Sequence, residues 1–92
     1  MKVKELLESK ENWIKGHCAL TKNNELTSSN SADAAKWCLI GAIIRCYGVV
    51  GFAEFITEIK QHILPFSSVS LWNDTPNRTF EEVKELVNRL DI

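Results

Sequence analysis

Val3, Leu6 and Leu7, with Ile14 further along the same stripe, are the apolar positions of an otherwise charged opening segment. That spacing predicts a short amphipathic helix over residues 2–12, interrupted at Gly16. Residues 21–31 have almost nothing to bury. They read as a surface loop, too short and too embedded to join two domains. Ser31 or Asn30 suits a helix N-cap, and Asp33 falls in the first turn, where the helix dipole favours an anion. A helix over residues 32–47 is therefore expected, stopping at Gly48. Its interior is apolar apart from Lys36 and Arg45, which point in opposite directions, so no polar stripe survives and the helix should be surrounded by others.

A third helix, residues 51–63, places Phe52, Phe55, Ile56, Ile59 and Ile63 on one face and Glu54, Glu58, Gln61 and His62 on the other. Leu64 and Pro65 end it. Ser67–Trp72 alternates polar and apolar, which fits a short strand or a single helical turn. Asp74-Thr75-Pro76-Asn77 is a turn signal, because proline presets its own φ while Asp and Asn bond locally to backbone. Thr79-Phe80-Glu81-Glu82 is a capping box: the Thr79 hydroxyl accepts from the Glu82 amide and the Glu82 carboxylate accepts from the Thr79 amide. The helix it opens carries the stripe Phe80, Val83, Leu86, Val87 and Leu90. The expected fold is mainly all-α, a compact irregular four-helix domain spanning 1–92. The 32–47 helix lies at its centre, with at most a short strand near residues 67–72.

Composition narrows the function classes. The chain has 92 residues, 45% hydrophobic and 25% charged, and 11 Lys plus Arg against 12 Asp plus Glu give a net charge of −1. Those values fit one ordinary globular domain and exclude a disordered tail or a disulfide-dense scaffold. Basic residues are spread among acids, so nucleic acid is a poor candidate partner. Charges interrupt any apolar run near the start, so no signal peptide is expected. The longest apolar stretch, Trp37–Ile44, falls far short of the roughly 20 residues of a membrane helix, so no membrane partner is expected. Three cysteines without paired spacing suit a reducing cytoplasm.

Candidate chemistry is sparse. A catalytic cysteine needs a depressed pKa and a base; in the expected helix Cys38 lies two turns from the N-terminus among apolar neighbours. Cys38 and Cys46 are about 12 Å apart along that helix, too far for a disulfide. His17, Cys18, Cys38 and His62 show no paired zinc-ligand spacing, so neither metal nor cofactor is expected. No phosphate-binding or serine-hydrolase motif is present. The densest group of specialised residues is Trp72-Asn73-Asp74-Thr75-Pro76-Asn77-Arg78-Thr79. Trp72, Asn73, Asp74 and Arg78 offer a stacking plane, an amide, a carboxylate and a planar fork, a set suited to a polar ligand or partner. The same residues also have structural uses: Trp72 as a core anchor, Asn73 and Asp74 as loop caps, and Arg78 as an ion-pair partner for Asp74.

Trp13-x-x-Gly16-x-x-Ala19, Trp37-Cys38-Leu39-Ile40-Gly41-Ala42 and Trp72-Asn73-Asp74-x-x-x-Arg78-Thr79-x-x-x-Val83 together resemble a family of small uncharacterised bacterial and bacteriophage proteins. The likeness spans about residues 12–90 and departs at His17 and Cys18. It implies a domain of unknown function, in a phage or mobile-element setting, and carries no activity with it. Two readings follow. The first is a non-enzymatic protein-interaction module with an unidentified protein partner or a second copy of itself. The alternative is a small-molecule-binding protein or enzyme with its site at the Trp72–Thr79 turn.

Overall fold

The computed structural model describes residues 1–92. Its elements are α1 (Val3–Leu6), a 3-10 turn (Lys10–Asn12), β1 (Ala19–Thr21), β2 (Ala34–Trp37), α2 (Leu39–His62), α3 (Val69–Asp74) and α4 (Phe80–Leu90). The expected all-α class is corrected by β1 and β2, which pair antiparallel with Ala19 opposite Trp37 and Leu20 opposite Lys36. The domain is a mixed α/β globule of four helices and a small two-stranded sheet. Both outer edges of this ribbon are covered. Leu26 bridges to Leu20 on one side, and on the other Trp13 bridges to Trp37 while the Asn12 side-chain amide donates to the Ala35 carbonyl at 3.3 Å. Covered edges leave no template for another strand.

The strand at residues 34–37 replaces the first turn of the expected 32–47 helix. Trp37 is the physical reason. In the strand its indole is buried and donates to the Ser29 carbonyl at 3.0 Å, while its own carbonyl accepts from Ile14 N–H at 3.1 Å. Long-range pairing therefore overrides the helical pattern of Ala34-Ala35-Lys36-Trp37. The helix begins at Leu39 instead, capped by Cys38, whose Sγ accepts from the Gly41 amide at 3.3 Å. Gly48, the expected stop, breaks the helical backbone with φ 73° and ψ −176°, and the helix resumes beyond it.

Leu39, Ala42 and Ile43 from the first half of α2, and Ile59 with Ile63 at its end, enter one core with Val3, Leu7, Val69 and Trp72. Phe52, Phe55 and Ile56, on the face expected to be buried, are only half-buried. Helix α4 adds Val83, Leu86 and Val87, as its stripe requires. Each fully buried aliphatic side chain stabilises the fold by about 1.5–3 kcal/mol. The expected helix over 2–12 is shortened to a single turn and a separate 3-10 turn, with Val3 and Leu7 as its buried pair.

The 67–72 segment is helical, not extended. The Ser68 hydroxyl accepts from the Leu71 amide at 3.3 Å, and the turn it starts buries Val69, Trp72 and Asn73. The capping box opens α4 as written in the sequence: Thr79 Oγ1 accepts from Glu82 N–H at 3.2 Å and Glu82 Oε1 accepts from Thr79 N–H at 2.9 Å. By length and composition α2 is apolar enough to cross a membrane. Its backbone breaks at Gly48, and it buries Leu39, Ala42, Ile43 and Ile59 in the core.

Candidate functional site

The Trp72–Thr79 turn is built around Asn73, which is fully buried at the end of α3. Its Oδ1 accepts from the Trp13 indole at 2.7 Å and from the Leu39 amide at 3.1 Å. Its Nδ2 donates to the Ile14 carbonyl at 3.1 Å and to Asp74 Oδ1 at 2.9 Å. One amide thus fastens α3 to the 13–14 segment and to the first residue of α2. Leu39 N–H is one of the donors that a helix start leaves without an intrahelical partner, and here the Asn73 side chain, 34 residues further along the chain, accepts from it.

Asp74 continues the same clamp, accepting from Gly16 N–H at 3.0 Å. Lys15 closes it from outside, its ammonium donating to the Thr75 carbonyl at 2.8 Å and the Pro76 carbonyl at 3.1 Å. Arg78 does not pair with Asp74. Its Nε donates to the Trp72 carbonyl at 2.9 Å, and its Nη1 bonds Glu82 at 2.9 Å. The guanidinium lies 4.1 Å from the Trp72 ring centroid and 5.5 Å from that of Phe66, a stacked position between two aromatic faces. The Thr79 amide, and then Arg78, draw the Glu82 carboxyl below its usual range. Trp72, Asn73, Asp74 and Arg78 are therefore brought together, but their polar groups are engaged with backbone and with one another. The arrangement positions chain segments and leaves little to grip a ligand.

Three hollows open on the surface. The largest, about 420 Å³, lies between residues 21–25 and 32–35 and is lined by the polar or charged side chains of Thr21, Lys22, Asn23, Glu25 and Asp33, with alanines as its apolar part. It has no aromatic or large aliphatic wall to hold an organic ligand. A hollow of about 150 Å³ lies between Trp72 and α4 residues including Glu85 and Arg89. The smallest, about 100 Å³, is lined by Gly16, His17, Cys18, Cys38, Ser70 and Asp74. Cys38 stands at the helix N-cap, not two turns inside as expected. Burial nevertheless pushes its thiol up to about 11, against the opposing pull of the Gly41 amide. No group of three metal-ligating side chains converges anywhere in the molecule.

One surface feature has no counterpart in the sequence reading. Val49 and Val50, directly after the break at Gly48, are 74% and 77% exposed. From Cys46 to Ala53 the chain carries no charged side chain, and Phe52 in that stretch is only half-buried. Periodicity alone leaves these residues between two helices. The usable signal was a β-branched pair bracketed by Gly48 and Gly51 without a charge nearby.

No curated protein and no solved structure shows significant similarity to the chain. A family model does match it, over residues 1–90, which takes in the clamp around Asn73, the capped start of α2 and the capping box of α4. The chain belongs to DUF6197, a family of unknown function.

Proposed function

We propose that this protein works by binding another protein, through the uncharged surface at the break in α2, and not by catalysis. The observation that carries the reading is the exposed pair Val49–Val50 within the charge-free stretch Cys46–Ala53. Single exposed aliphatic residues are ordinary, but adjacent ones in a charge-free stretch are what an interface core uses. The polar residues of the Trp72–Thr79 turn, which a ligand site would need, are occupied within the fold. The setting we favour is a cytoplasmic modulator of a host factor encoded by a phage or mobile element; its support is the sequence resemblance.

The test compares the full chain with a V49K/V50K variant as bait in lysate of the encoding cell, alongside sedimentation of each pure protein. Both substituted positions are exposed, so the variant should keep its circular dichroism spectrum and unfolding midpoint. The expected result is one protein held stoichiometrically by the wild type and lost by the variant. Retention by both, or by neither when both proteins are also monomeric, overturns the reading. A wild-type dimer that the variant disperses makes the partner a second copy, and binding to lipid vesicles with no protein retained overturns it in favour of a membrane surface.

A further inference from the structure

The ladder that replaces the first turn of the expected central helix also brings two of the three cysteines together. Ala19 is opposite Trp37, so Cys18 and Cys38 are the next opposed positions, and Cys38 N–H donates to the Cys18 carbonyl at 3.2 Å. Hydrogen-bonded antiparallel pairs have Cα atoms about 5.5 Å apart. A disulfide spans Cα separations of roughly 4.4–6.8 Å. Both residues line the same hollow of about 100 Å³. Gly41 allows the start of α2 to approach this closely, because a Cβ at that position would stand 2.0 Å from the Cys18 carbonyl oxygen. Access differs between the two thiols: Cys18 is exposed, whereas Cys38 is buried with its Sγ held by the Gly41 amide. Cys46 lies two turns further along α2, about 12 Å from Cys38.

We propose that Cys18 and Cys38 form a reversible dithiol–disulfide site that responds to small disulfide oxidants of the oxidised-glutathione class. The Cys18 sulfur gives up its proton and attacks one sulfur of the oxidant, forming a mixed disulfide and releasing one small thiol. Cys38 then loses its proton and attacks the Cys18 sulfur, releasing the second small thiol. Two protein thiols become one disulfide, the small disulfide becomes two thiols, and the two protons end on those thiols. Cys18 reacts first because it is exposed, and the buried Cys38 makes the second step the slower one. Exposure of Cys18 leaves the bond open to attack by small thiols, as a reversible site requires. The linkage would tie β1 to the start of α2 across the mouth of the hollow. This site is independent of the protein-binding reading.

The experiment treats the folded, reduced full chain with oxidised glutathione and follows intact mass and non-reduced peptide maps. The expected sequence is a single glutathione adduct on Cys18, then its loss as a Cys18–Cys38 crosslink forms, with full reversal by dithiothreitol. C46S should behave as the wild type, C38S should stop at the Cys18 adduct, and C18S should form neither product. A wild type that stops at the adduct, pairs through Cys46, forms a Cys18-linked dimer or crosslinks only in denaturant overturns the proposal. The wild-type map decides the matter even if C38S, which alters the N-cap, fails to fold.

Discussion

Asn73 shows how a side chain that looks suited to ligand binding can be spent on the fold. Its two acceptor bonds satisfy buried donors on Trp13 and Leu39, and its two donor bonds reach Ile14 and Asp74. Each bond contributes about 0.5–1.5 kcal/mol net, and a buried donor stripped of its acceptor costs more. Asn73→Ala should therefore lower stability by about 3 kcal/mol in urea unfolding. Asn73→Asp keeps the acceptor but loses both donor bonds and sets a carboxylate beside Asp74, so it should also destabilise the chain. A midpoint unchanged in either variant would show that the amide is not a structural hub. Arg78 obeys the same logic, since its stacking on Trp72 and its bond to the Trp72 carbonyl fix the path from α3 to α4.

At the scale of elements, α2 is the informative case. Its backbone at Gly48 has a positive φ with extended ψ, a region essentially confined to glycine. A Cβ there would meet nothing within 4 Å, so the cost of a substitution is conformational, not steric. Gly48→Ala should destabilise the protein by about 2 kcal/mol, read as a shift in urea midpoint, or else straighten the helix and move Val49 and Val50. A variant with both an unchanged midpoint and unchanged binding would mean that the break contributes nothing to the exposed surface. The contrast with α4 is instructive. That helix is closed by local chemistry at both ends, by the capping box at Thr79 and by the left-handed Asp91 at its C-cap. The Thr79 cap alone is worth about 1 kcal/mol.

Across the whole molecule, the first and last elements are joined. Val3 N–H donates to the Ile92 carbonyl at 2.6 Å, the Tyr47 hydroxyl donates to the same carbonyl, and Ile92 is buried. Lys4 and Lys2 both bond Asp91, the latter at 2.9 Å, and together they hold its carboxyl at about 2, below its ordinary 3.8. Because the folded-state pKa is depressed, this contribution is complete above pH 3.8 and disappears as the pH falls through about 2. Asp91→Asn should remove this contribution, kept small by exposure and screening, above pH 3.8 and leave stability below about pH 2 unchanged, which flattens the acid limb across that window. Identical acid unfolding profiles for the two proteins would contradict the assignment. Cys38 acts at the other extreme: its raised pKa favours the neutral thiol, so that contribution is complete below pH 9 and is lost as the pH rises through about 11.

The sequence by itself determined what rests on neighbours along the chain. The Thr79–Glu82 box, the stripe of α4 and the break at Gly48 are set within a few residues, where side chains cap backbone and apolar positions repeat at helical spacing, and the turn expected at Asp74–Asn77 closes one residue later, from Thr75 to Arg78. Only the tertiary structure decided the state of residues 34–37. Ala34-Ala35-Lys36-Trp37 is locally compatible with a helix, and partners in the 13–21 segment, distant along the chain, made it a strand. The same holds for the candidate site. The cluster Trp72, Asn73, Asp74 and Arg78 was legible as special from residue types alone, but its role depended on which buried groups lacked partners, and those groups belong to Trp13, Ile14, Gly16 and Leu39. Nor could composition place Cys18 opposite Cys38 or leave Val49 and Val50 uncovered, because strand pairing and helix breaks bring together or expose residues whose separation along the chain carries no periodic signal.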